Sequence, residues 1–256
     1  MPFVDPRSNP SPPCPPARSL AEEPDEILPL ILACLHGHIY KVEEWIAADK
    51  PLQAQHYRAG PRKVYTTPLQ AAYDKENHDL ALLLLCNGYD ISIEPCSILA
   101  LAVRDRRYDF IDLMVKWGDK YEHIDPEDVF RTYDAALIDR LWKAGVNFCK
   151  GQALTWHVGE HVNRPLLGWI KNHLNDEGIA DQLAKGLRLA LSERKEFQIQ
   201  MLIWVGADLY RSVPNIRWSS SNRDEEEDER STAIDDLISG DSCKYLKNIH
   251  LVPEGQ

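Results

Sequence analysis

The residues best suited to chemistry in this 256-residue chain are His157-Val158-Gly159-Glu160-His161, a run that fits H-x-x-E-H. On one helix the two imidazoles, four residues apart, share a face that can hold Zn²⁺, and the carboxylate between them can act as general base on a bound water. This is the one enzymatic alternative in the sequence: a zinc-dependent hydrolase using His157, Glu160 and His161. Gly159 inside the motif and nearby Pro165 oppose it, because both residue types break helices. The downstream acids are abundant and unpatterned, so no third ligand stands out. The expectation is a structural or surface role for the motif, with no catalytic residue, no metal and no cofactor.

The remaining candidates are weaker. His36 and His38 flank Gly37 in a turn, and Arg106-Arg107 reads as a solvated dibasic turn. There is no G-x-S-x-G, P-loop or G-x-G-x-x-G. Six cysteines carry no C-x-x-C pair, which points to a reducing compartment. Cys34 and Cys86 lie in apolar runs, as small buried hydrophobes do. The formal charge of −11, from 40 acids against 29 bases, opposes nucleic-acid backbones and anionic membranes and favours a basic or neutral partner. The six acids Asp224 to Glu229 read as a solvated, mobile loop. With no apolar leader, and no apolar run longer than Ile27–Leu35, the chain reads as soluble and cytoplasmic.

The elements that must carry these residues show a recurring pattern. Leu30-x-Leu32-Ala33, Leu69-x-Ala71-Ala72, Leu99-x-Leu101-Ala102 and Leu187-x-Leu189-Ala190 each precede a polar turn and a second apolar run. Gly88, Gly118 and Gly206 close three of these units and Gly145 a weaker one, at spacings of 30, 27 and 61 residues. Two short helices cannot bury an apolar face alone and must stack on neighbours. The predicted fold class is all-α, with six to seven helix pairs and almost no strand. Leu32, Ala33, Leu82, Leu85, Leu101, Ile111, Leu189 and Leu202 are the expected core. Thr67 and Ser97 are expected helix caps, with Pro68 at the first helical position. Residues 1–24, with eight prolines, form a disordered tail containing P-x-x-P-x-R at residues 13–18. Residues 25–210 form the repeat domain, 211–230 an acidic, Ser-rich loop, and 231–256 a partial capping unit.

Thr67-Pro68-Leu69-Gln70-Ala71-Ala72, with Leu82 to Cys86 and Gly88-Tyr89-Asp90, resembles an ankyrin repeat, and Gly206-Ala207-Asp208 repeats its close. The likeness spans roughly residues 27–210, with spacings nearer 30 than the family's 33. It implies an irregular ankyrin-like solenoid: a non-catalytic adaptor or inhibitor that binds another protein on its concave side. The acidic balance suggests a basic partner, such as a toxin or a nucleic-acid enzyme that it masks. Candidate contacts are Gln70, Asp74 and Arg104 on first helices, and Tyr57, Arg58, Tyr65, Tyr89 and Tyr121 on projecting connections. Trp204 occupies a position expected to be exposed, whereas Trp45 and Trp142 align with the buried ladder of second helices. Tyr and Arg give large contact area at modest entropic cost.

Overall fold

The structure, a computed structural model, describes residues 18–57, 66–161, 163–176, 178–216 and 226–232. Apart from one two-stranded ribbon, the regular structure of these residues is helical. The chain divides into two compact units at Ile124/Asp125. The first holds the pairs α1 (Leu28–Leu35) with α2 (Ile39–Ala47), α3 (Pro68–Asp74) with α4 (His78–Cys86), and α5 (Ile98–Arg104) with α6 (Tyr108–Lys116). The second holds α7 (Pro126–Arg131) with α8 (Ala135–Lys143), α9 (Ala153–Glu160) with α10 (Arg164–His173), and α11 (Ile179–Ser192) with α12 (Glu196–Val205). It also holds β1 (Val213–Ile216) and β2 (Glu226–Ser231).

Within the first unit α1 packs on α2 and α3, α3 on α4 and α5, and α6 on α4 and α5. Within the second, α7 packs on α8 and α9, α10 on α8 and α12, and α11 on α9 and α12. Such short helices are marginal alone and depend on this burial. The core includes Ile31, Leu69, Leu85, Ile98 and Phe110 in the first unit, and Phe130, Leu141, Phe148, Leu166 and Leu187 in the second.

Capping sets the helix boundaries. The Gln70 N–H donates to Thr67 Oγ1 at 3.0 Å and the Ala100 N–H to Ser97 Oγ at 3.2 Å, with Pro68 in the first turn as expected. Each first helix with the Leu-x-Leu/Ala-Ala pattern ends in the same way. The N–H of His38, Asn77, Arg107 or Lys195 donates to the carbonyl five residues earlier, on Ala33, Ala72, Ala102 or Ala190. This is a Schellman closure, and it places one residue in left-handed backbone. A second left-handed residue closes five of the six pairs, all but α9 with α10. The two are Gly37 and Asp49, Glu76 and Gly88, Arg106 and Gly118, Tyr133 and Gly145, Arg194 and Gly206, always twelve residues apart.

Several expectations are corrected. Residues 18–24 do not belong to a disordered tail. The Ala21 N–H donates to Gln53 O at 2.8 Å, the Gln55 N–H donates to Ala21 O at 3.0 Å, and Ala21 and Pro24 are buried. Residues 1–17, which contain most of the P-x-x-P-x-R motif, lie outside the described residues, as do 233–256, nearly all of the expected capping unit. The region 211–230 is not simply a loop: β1 and β2 pair antiparallel, Val213 opposite Ser231, taking in much of the acidic run. The register slips immediately after Pro214, which has no N–H for the ladder. Leu32 is 45% exposed, and among the described residues no helix pair before α1 covers it, while Leu82 and Leu101 are half-buried. Cys86 is exposed, whereas Cys34 is buried and its thiol is pushed up to about 12 by desolvation.

Candidate functional site

The connections of the first unit were expected to offer tyrosines to a partner, and they do the opposite. Tyr57 and Tyr89 are both buried. The Tyr57 hydroxyl accepts from the Ala54 N–H at 3.3 Å, and the Tyr89 hydroxyl donates to Glu94 Oε1. Gln53 joins the two connections through a reciprocal pair, Nε2 to Asp90 O at 2.8 Å and the Asp90 N–H to Oε1 at 2.7 Å. Burial pushes the Tyr57 hydroxyl up to about 12 and the Glu94 carboxyl up to about 7. Tyr57 and Tyr89 are therefore removed from the contact set. Buried phenols need polar partners, and a neighbouring connection supplies them here. Arg58 and Tyr65 lie outside the described residues.

On the first helices, Asp74 and Arg104 are exposed and Gln70 is half-buried; Tyr121, in the turn after α6, is half-buried. Asp74 and Arg104 each stand two residues before the left-handed residue of their turn, so they are equivalent positions on packed neighbours α3 and α5. Arg104 Nε lies 3.4 Å from Asp105 Oδ1, and both side chains stay largely in solvent. The two arginines that follow have separate roles. Arg106 takes the left-handed turn position and is exposed. Arg107 lies over the rings of Tyr73 (4.4 Å) and Phe110 (4.3 Å), and its Nη1 donates to Tyr73 O at 2.6 Å. The Tyr73 hydroxyl completes the turn by donating to Asp105 Oδ2 at 2.7 Å. Arg107 is thus a packed cation and not a solvated one.

The first four residues of the H-x-x-E-H run, His157 to Glu160, are helical after all. Gly159 sits inside α9 because α11 comes too close for a side chain. A Cβ there would lie 2.6 Å from Leu189 Cδ2, and one at Gly186 would lie 2.5 Å from Val158 Cγ2. Pro165 falls in the first turn of α10, where its missing N–H costs nothing. The two imidazoles lie with ring centroids 5.3 Å apart, one buried and one exposed. His157 is buried, its Nε2 lies 3.4 Å from Asn163 Nδ2, and its Nδ1 is buried with no hydrogen-bond partner among the described residues. His161 caps the helix in extended backbone and is exposed, as is Glu160. Desolvation, followed by the charges of His161 and Arg131, lowers the His157 imidazole to about 4. Among the described residues no three His, Cys, Asp or Glu side chains group to hold a metal ion.

Trp204 is 57% exposed on α12, with Lys171 Nζ 4.3 Å over its ring. Counted from the turn residue Arg194, Phe197, Gln200 and Trp204 take the positions of Asp109, Asp112 and Lys116 on α6, and of Ala136, Asp139 and Lys143 on α8. Phe197, 51% exposed, was not anticipated, although this alignment of the repeats reveals it. Glu94 carried no signal in the sequence, and Arg107 read as a solvated cation because Tyr73, whose ring and carbonyl hold it, lies 34 residues earlier. Trp142 meets Phe148 and Trp169 at centroid separations of 5.7 and 5.4 Å and is only partly buried. Trp45 is likewise half-buried, its Nε1 donating to Pro51 O at 2.9 Å. Among the described residues no helix is long and apolar enough to cross a membrane. Comparison with protein-family models, with curated proteins and with solved structures finds no match to this chain.

Proposed function

We propose that the chain is a non-catalytic, ankyrin-like repeat scaffold that binds another protein and alters its activity or location, as an adaptor or inhibitor. The observation that carries this reading is the twelve-residue interval between left-handed residues, held in five helix pairs. One supersecondary unit recurs, and its packing against the next within each compact unit supports a stacked-repeat reading. The Thr67-Pro68-Leu69 opening supports the ankyrin likeness. Repeat scaffolds act through side chains that the stacking leaves exposed. Here those are Asp74 and Arg104, with Gln70 and Tyr121 beside solvent, in the first unit, and Phe197 and Trp204 in the second. The charge of −11 favours a basic protein partner, while direct nucleic-acid binding is disfavoured. The hydrolase alternative is weakened by the burial of His157, which turns the motif toward the core.

The test is affinity capture from a lysate with the full chain as bait, repeated with Arg104→Ala and with the Phe197→Ala, Trp204→Ala double variant. A captured protein that binds the wild type and is lost with either variant supports the scaffold, with a cost of about 1 kcal/mol or more for each hot spot. One zinc per purified chain, with hydrolytic activity abolished by His157→Ala and His161→Ala, overturns it.

A further inference from the structure

The first unit buries a carboxyl group where its two connections meet, and the geometry of that seam gives the burial a consequence. Glu94 follows a single turn of 3-10 helix at Ile91–Ile93. Its Oε1 accepts from the Tyr89 hydroxyl, and its Oε2 is buried with no hydrogen-bond partner among the described residues. The groups facing it come from every neighbouring element. Thr67, the cap of α3, lies beside both Glu94 and Tyr89. Tyr57, from the connection after α2, couples electrostatically to both as well. The charge that acts on Glu94 is another carboxylate, Asp119, just beyond α6. Asp119 has its own company, with His123 Nδ1 at 3.4 Å from its Oδ1 and the Ser97 hydroxyl at 3.3 Å from its Oδ2.

We propose that Glu94 is a proton-operated latch, whose neutral carboxyl closes the seam between residues 50–57 and 89–97 and whose ionisation opens it. Burial and the second negative charge of Asp119 disfavour a carboxylate there and outweigh the Tyr89 hydroxyl, which favours it. Opening relieves both penalties by letting water reach the carboxylate. The groups released are the pair that ties the connections together, Gln53 with Asp90, and the bond that folds the first connection on itself, from the Ala54 N–H to Tyr57. Burial holds the Glu94 carboxyl near 7 against an ordinary value of 4.5, so ionisation falls in the neutral range. The latch deepens the scaffold reading, because it governs a connection at the edge of the repeats, but its test involves no partner.

The experiment is amide hydrogen exchange of the full chain at Ala54 and Gln55, whose N–H groups bond to Tyr57 Oη and Ala21 O. It runs from pH 5.5 to pH 8, with each rate divided by the intrinsic rate at that pH. Wild-type protection is expected to fall at least tenfold across this range. The midpoint should match the Glu94 carboxyl titration read by carbon NMR. Glu94→Gln, which mimics the neutral acid, should hold protection constant. Protection that is flat in the wild type, that changes with a midpoint apart from the carboxyl titration, or that falls equally in Glu94→Gln overturns the proposal. Should Glu94→Gln fail to fold, the wild-type comparison of midpoints decides alone.

Discussion

In the first unit Arg107 lies across Tyr73 and Phe110, Gln53 bonds back to Asp90, and Arg18 donates to the carbonyls of Ile46 and Asn87. Those carbonyls stand at the C-terminal ends of α2 and α4, where a cation is favoured. In the second unit the principal contact is face to face: α9 and α11 meet across Gly159 and Gly186. Thr155 is bonded there to Gln182, and Phe148, Trp142 and Trp169 group nearby. The same helix pair is thus locked by polar side chains from connections and turns in one unit, and by shape in the other. Polar locks tolerate small changes of volume but respond to charge. Close-packed faces respond to a single methyl group.

Among single substitutions the largest expected effect therefore lies at the α9–α11 crossing. Gly186→Ala would set a Cβ 2.5 Å from Val158 Cγ2 and 3.1 Å from the backbone oxygen of Thr155, and backbone cannot swing aside. Alanine gains up to about 1 kcal/mol of helix propensity, yet the net outcome should be a loss of roughly 2 kcal/mol. Gly168→Ala is the control: α10 is helical there and nothing lies within 4 Å, so stability should rise by about 0.5–1 kcal/mol. Urea midpoints of the two variants should move in opposite directions. Equal shifts would break the assignment of a shape lock.

The units should also answer pH with opposite signs. His157 is held near 4 in the folded chain against 6.5 ordinarily, so the unfolded state binds the extra proton and stability falls as pH drops from 6.5 toward 4. Glu94 is held near 7 against 4.5, so the folded state holds the extra proton and stability falls as pH rises from 4.5 toward 7. Each effect is on the order of 3 kcal/mol. Residue-resolved exchange should show α9 losing protection at pH 5 while α3 keeps it. His157→Gln should flatten the response of α9 and leave the first unit as it was.

Much of this contrast could not be read from the chain. Helix ends were legible wherever the signal was local: Thr67 and Ser97 cap as expected, and Gly88, Gly118, Gly145 and Gly206 all adopt positive φ. The left-handed residues at the other turns were hidden, because Glu76, Arg106, Tyr133 and Arg194 carry no glycine to announce them. Gly159 read as a helix breaker, since the neighbour that requires it, α11, lies well downstream. Tyr57 and Tyr89 read as contact residues because nothing in the sequence marks Glu94, five residues after Tyr89, as the acceptor of its hydroxyl, and an isolated glutamate gives no sign of such a role. Of the candidate contacts, Trp204 alone was placed by aligning equivalent positions of the repeats, and its exposure agrees.

Adjacent arginines give a smaller effect that tests the polar lock directly. Arg107→Ala removes a bond to Tyr73 O and contacts with two rings, a loss of about 1–2 kcal/mol. Arg107→Lys should recover only part of this, because the planar guanidinium both stacks and donates. Thermal midpoints of the two variants measure the difference, and a full rescue by lysine would reduce the contact to plain charge.

The smallest effect belongs to the turns that both units share. Arg106 adopts φ 57 and Glu76 φ 56, a conformation that costs a side-chain-bearing residue roughly 1 kcal/mol and glycine almost none. Glycine gives part of this back through the greater freedom of the unfolded chain. Arg106→Gly and Glu76→Gly should therefore be neutral or stabilising by up to about 0.5 kcal/mol. The reverse change, Gly118→Ala, meets no atom within 4 Å but keeps φ at +92, so its cost of about 1 kcal/mol should be backbone strain alone. Tyr133→Gly in the second unit should match Arg106→Gly within error, since the two residues hold the same place in the twelve-residue interval. If Tyr133→Gly instead costs more than 1 kcal/mol, its half-exposed ring is engaged in packing, and the turns of the two units are not equivalent.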